Sequence, residues 1–78
     1  MSILNGKLLK HLRLLVGLNQ RELALKINKS HSLIAKVENN RRTITTDIER
    51  KLFKFFQEQG ISEKEITLLS NVIRNTKG

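Results

Sequence analysis

The stretch NQRELALKINKSHSLIAKVENN, residues 19–40, holds two short helices and the turn between them. Asn19 is a good N-cap, and Glu22, three residues on, completes an approximate capping box. Leu23, Ala24 and Ile27 then form one buried face. Asn28 suits the left-handed backbone that a tight turn needs. Ser30 caps the next helix, whose inward residues Ile34 and Val37 stand one turn apart, so His31, Ser32, Ala35 and Lys36 point elsewhere.

On the N-terminal side, Leu8, Leu9, Leu12, Leu15 and Val16 recur as the single buried stripe of a preceding helix, which Gly17 ends. On the C-terminal side NNRRTITT reads as a loop. Thr46 with Glu49 makes a second capping box, ahead of Ile48, Leu52, Phe55 and Phe56 at helical spacing, and Gly60 closes that helix. Ser62 with Glu65 makes a third box and opens a last helix, 62–75, carrying Ile66, Leu69, Val72 and Ile73. No alternating strand pattern and no repeat is visible, no Pro-, Gly- or Ser-rich stretch divides the chain, and only the tail NTKG looks loose. The spacing predicts an all-α fold of about five short helices, one domain over residues 1–78 with its central motif at 19–39.

The net charge is +8, unevenly placed. Residues 1–42 hold nine Lys and Arg against Glu22 and Glu38, a net +7, whereas residues 43–78 hold six against five acids, a net +1. One half suits a polyanion and the other suits something else, although a solvated basic surface explains the charge alone equally well. Cys is absent, which excludes disulfides and thiolate metal sites. With only His11 and His31, no Tyr and no Gly-rich loop, there is no nucleophile–base pair and no ligand spacing, so neither an enzyme nor a metal or cofactor site is expected. The basic start lacks a small-residue cleavage site and does not read as a signal peptide; no run approaches the ~18 to 20 apolar residues of a membrane span. A soluble cytoplasmic protein is expected. A chain this short has a small core, so pairing with a second copy would stabilise it.

Two short helices joined by a turn of about three residues, NKS, let the second project from the body into a DNA major groove. Ala24 supplies the small residue where the two cross. At these residues the sequence resembles the helix-turn-helix of the lambdoid phage repressors and Cro, the xenobiotic-response-element type. GLNQRELALKI at 17–27 is similar to that family's first motif helix and VENN at 37–40 to the close of its recognition helix; the resemblance covers about residues 7–56. It implies a lambda-repressor-like fold and a sequence-specific regulator of transcription, a repressor in expectation, on double-stranded DNA. It further implies that Gln20 meets a phosphate, that His31, Ser32 and Lys36 face base edges, that Asn39, Arg41 and Arg42 follow the backbone, and that Arg13 pairs with Glu38. The chain departs from the family where Asn28 and Asn40 replace Gly, where Lys29 replaces an apolar residue, and where the Pro before the fourth helix is missing, which leaves the register through 42–47 open by one.

The DNA-facing set is then Asn19, Gln20, Ser30, His31, Ser32, Ala35, Lys36, Asn39, Asn40, Arg41, Arg42 and Thr43. His31 reads either as a base contact or as an exposed polar residue, Lys36 as a base or phosphate contact, and Leu33 as packing or a thymine-methyl contact. Ile66, Leu69, Val72 and Ile73 exceed what so small a core needs; some must pack on the chain's own body, and the stripe they still leave exposed predicts a homodimer through the last helix. The alternative is an antitoxin or controller subunit that binds a regulatory partner protein as well as its own operator.

Overall fold

In the computed structural model, which describes residues 4–75, the helices are α1 (Gly6–Leu15), α2 (Gln20–Lys26), α3 (His31–Glu38), α4 (Thr46–Glu58) and α5 (Glu63–Asn75), with no strand among the described residues. The fold is all-α with five helices among the described residues, as expected. The loose reading of the tail concerns Thr76 to Gly78, which lie outside the described residues.

Local chemistry fixes both ends of the first four helices. Asn5, Asn19, Ser30 and Thr45 hold extended backbone, and each side-chain oxygen accepts from the amide three residues on. At Asn19 the box is reciprocal, with Glu22 Oε1 accepting from the Asn19 amide at 2.9 Å. Ser62 and Glu65 form a second reciprocal pair at the start of α5. The cap of α4 departs from the sequence expectation: it is Thr45, whose Oγ1 accepts from the Ile48 amide, and not Thr46. Ile44, the residue before the cap, is buried, and Thr46 is the first residue of the helix.

The C-terminal ends share one device. Gly17, Asn28, Asn40 and Gly60 all have positive φ. After each, the next amide reaches back to the carbonyl five residues before it, Lys29 to Ala24 and Arg41 to Lys36 both at 2.8 Å. Asn28 (φ 57°) and Asn40 (φ 60°) thus take the left-handed place that the related family gives to Gly.

The core joins Leu8, Leu9 and Leu12 of α1, Leu23 and Ala24 of α2 with Ile27 at its C-cap, Ile34 and Val37 of α3, the α4 residues Ile48, Leu52, Phe55 and Phe56, and Ile66 of α5, closed by Leu4 and Ile44. Leu15 was expected in this core and is 64% exposed. At about 100° per residue Leu15 falls on nearly the same side as buried Leu8, so periodicity alone would bury it; in the last turn of α1 Arg13 and Val16 take the inward places instead. Helix α3 packs on both α1 and α2, and α5 packs on α1. Among the described residues no helix is long and apolar enough to cross a membrane.

The contact of α1 with the end of α3 depends on Gly6. A Cβ there would collide with the Val37 carbonyl and stand 3.0 Å from both the Glu38 carbonyl and Asn40 Oδ1. Gly6→Ala is therefore expected to cost about 1–3 kcal/mol through overpacking, outweighing the ~0.5–1 kcal/mol by which Ala favours a helix over Gly. Urea denaturation measures it, and an equally stable variant would mean that the two helix ends part freely.

Candidate nucleic-acid interface

Helix α3 is held by one edge and presents the other. Ile34 is fully buried and Val37 nearly so, with Leu33 packed beside them, while His31, Ser32 and Lys36 are exposed and Ala35 is half-buried. Leu33 thus packs on the body. At about 100° per residue these four form one continuous face. The cap hydroxyl of Ser30 is bonded to the Leu33 amide, which places Ser30 at the exposed entry of that face.

A polar relay fixes this helix against α1 and α2. Arg13 donates from Nε to Glu38 Oε2 at 2.7 Å and from a terminal nitrogen to Oε1 at 2.9 Å, and also to the Leu18 carbonyl at 2.9 Å. The pair is buried, with side-chain exposures of 9% for Arg13 and 3% for Glu38. The Glu38 hydrogen bond pushes the Arg13 guanidinium above its ordinary range; desolvation opposes this and the carboxylate's charge adds to it. Gln20 Nε2 donates to Glu38 Oε1 at 3.0 Å, and Gln20 Oε1 lies 3.3 Å from His31 Nε2. Gln20, expected at a phosphate, makes both of these contacts within the chain. The Arg13–Glu38 pair is present as expected; the reach from Gln20 to His31 was not foreseen, since eleven residues of separation carry no periodic signal.

The loop after α3 continues the exposed edge. Asn39 caps the helix, Asn40 makes the left-handed turn, and Arg41, Arg42 and Thr43 follow, all exposed. Asn40 to Thr43 share an open cleft of about 280 Å³ with Leu4, Asn5, Gly6 and Ile44. Asn19 lies exposed at the start of α2, its side chain used as the cap. Lys29 is drawn aside, its ammonium 3.3 Å from Asp47 of α4.

The expected dimerisation residues divide. Ile66 is fully buried in the chain's own core and offers nothing to a second copy, a correction that follows from α5 packing on α1. Leu69 and Ile73 are partly buried against that core, and Val72 is 59% exposed. Leu68, absent from the expected set, is 56% exposed and extends the stripe. Leu14, Leu15 and Leu25 are further exposed apolar residues.

No curated protein and no solved structure matches the chain. A helix-turn-helix family model of the XRE and lambda-repressor type matches residues 9–62, from within α1 to the entry of α5, and so takes in the whole α2–turn–α3 unit and its basic loop. The chain belongs to that family, and is a DNA-binding transcriptional regulator of the XRE helix-turn-helix type.

Proposed function

We propose that the protein is a cytoplasmic repressor that binds a palindromic operator as a homodimer, with α3 in the major groove. The observation that carries the reading is the two-edged α3, anchored by Ile34 and Val37 and open at His31, Ser32, Ala35 and Lys36, with Arg41 and Arg42 at its end. Hydroxyl and ammonium groups on that edge suit base edges; the guanidinium groups, neither tied to an acid among the described residues, suit phosphates. Asn19, Ser30, Asn39, Asn40 and Thr43 lie along the flanks. Selecting duplexes from a random pool tests the reading, since an enriched palindrome would support it and the absence of any enriched sequence would remove it.

Lys36→Ala should weaken binding by about 1–3 kcal/mol on the selected site and little on random DNA, while Arg42→Ala should weaken both alike and flatten the salt dependence by about one phosphate, a slope of ~0.9. Titrations at several salt concentrations check this; equal losses from both variants on both DNAs would contradict the assignment.

The second copy is placed on α5. Leu68 and Val72 with the outer sides of Leu69 and Ile73 form an apolar stripe on the nearly neutral half of the chain. Extents of 30 × 27 × 24 Å are compatible with two copies whose α3 helices stand the ~34 Å of one DNA turn apart. Leu68→Lys with Val72→Lys should give a folded monomer with weak, uncooperative binding. Sedimentation equilibrium decides it, and an unmodified protein that stays monomeric both free and on DNA would refute it. Exposed Leu14 and Leu15 of α1, outside this stripe, favour a second reading, a regulatory partner protein seated there as on an antitoxin.

A further inference from the structure

A second cleft, of about 270 Å³, opens between the end of α2 and the side of α4. Buried Ile27 and Phe55 form its apolar floor, and Lys26, Lys51 and Lys54 stand around it. The α4 residues share one stripe, because Lys54, Phe55 and Glu58 lie three, four and seven positions beyond Lys51. Asn28, at the left-handed turn, closes the α2 side. Neither α3 nor the loop after it contributes to the walls, so the cleft is separate from the DNA-facing edge.

The charges around it do not balance. Asp47 serves two lysines at once, Lys29 at 3.3 Å and Lys51 at 3.9 Å. Lys26 and Lys54 are exposed and have no acid partner among the described residues; Glu58, which lines the cleft, pairs with neither. Four ammonium groups therefore stand against two carboxylates, and like charges held this close favour an anion between them.

We propose that this cleft receives an acidic segment of a partner protein, with one apolar side chain on Ile27 and Phe55 and flanking carboxylates on Lys26 and Lys54. The volume is below the ~300–1,000 Å³ of sites for whole small-molecule ligands, and suits one side chain of a peptide. DNA phosphates would answer the lysines and leave the apolar floor uncovered; a wholly apolar segment would cover the floor and leave the lysines unanswered. Only a segment with both kinds of group is complementary to the whole cleft. Because α3 stays free, the chain is able to hold this partner and DNA together. The proposal does not depend on how α3 reads DNA.

Selection on the full chain from a displayed library of random peptides tests it. Enriched peptides should carry Asp or Glu on both sides of an aliphatic or aromatic residue. Adding one of them should move the amide resonances of residues 26–28 and 51–58 and leave those of α3 in place. Lys26→Glu with Lys54→Glu should weaken that peptide by about tenfold or more, since each exposed ion pair is worth up to about fivefold. Lys26→Gln with Lys54→Gln should weaken it less, and both variants should melt as the unmodified protein does, because the two side chains are exposed. At ~0.15 M salt, where charges more than about 8 Å apart are screened, the Gln variant should bind duplex DNA within about twofold of the unmodified protein. No enriched peptide, enriched peptides without acidic residues, or equal binding to the Glu variant would overturn the inference. So would a Gln variant that loses duplex binding as strongly as peptide binding, which would give the cleft to DNA. None of these results touches the reading of α3, which the duplex selection tests separately.

Discussion

Glu38→Ala is expected to lower stability by about 3–5 kcal/mol, a large share of the ~5–15 kcal/mol that holds a small domain together. The cost comes from what remains. Arg13 stays buried with its charge unanswered, keeping only the Leu18 carbonyl, and Gln20 loses the acceptor that orients it. Arg13→Met alone should be comparably damaging, because it strands the carboxylate, whose side chain is only 3% exposed. The double variant Arg13→Met with Glu38→Leu should recover much of the loss, since apolar groups of similar size replace a desolvated pair at little net cost. Urea denaturation of the four proteins forms a double-mutant cycle, and strictly additive losses would mean that the two side chains act separately. Since α3 is anchored to α1 through this pair, the single variants should also bind DNA less well than their residual stability alone explains.

The second large effect separates two neighbouring residues of α5. Ile66→Ala should cost about 2–5 kcal/mol, because Ile66 is fully buried where α5 meets the core and its loss leaves a cavity. Leu68→Ala, on the outer side of the same helix, should change the stability of the monomer by no more than ~0.5 kcal/mol while weakening self-association. Thermal melts at several protein concentrations distinguish the two: self-association makes the melting temperature rise with concentration, so the Ile66 variant should keep that dependence at lower temperatures and the Leu68 variant should flatten it. A Leu68 variant as damaged as the Ile66 variant at every concentration would place Leu68 inside the core instead.

How far the site could be read in advance depended on the kind of interaction. The outward face of α3 follows from periodicity alone, because Ile34 and Val37 leave only one direction for Ser32 and Lys36. The link between Arg13 and Glu38 came from the family resemblance and not from spacing, since twenty-five residues separate them. The Gln20 to His31 contact was missed altogether. It exists because the α2–α3 crossing brings the first residues of two helices together, and a crossing angle is a property of packed surfaces, not of either segment.

By itself, the sequence determined the helices, their polar and apolar faces and most of their ends, because caps and left-handed turns are decided by bonds within a few residues. Asn19 with Glu22, Asn28, Ser30 and Ser62 all act as their local chemistry requires. Tertiary structure decided the rest. The α4 cap falls on Thr45, next to buried Ile44; Arg13 and Val16 turn inward while Leu15 stays in solvent; and α5 spends Ile66 on its own core while leaving Leu68 and Val72 outside. A helical stripe shows that a residue is able to be buried; whether it is depends on what surface lies opposite, and that surface exists only once the other helices are in place.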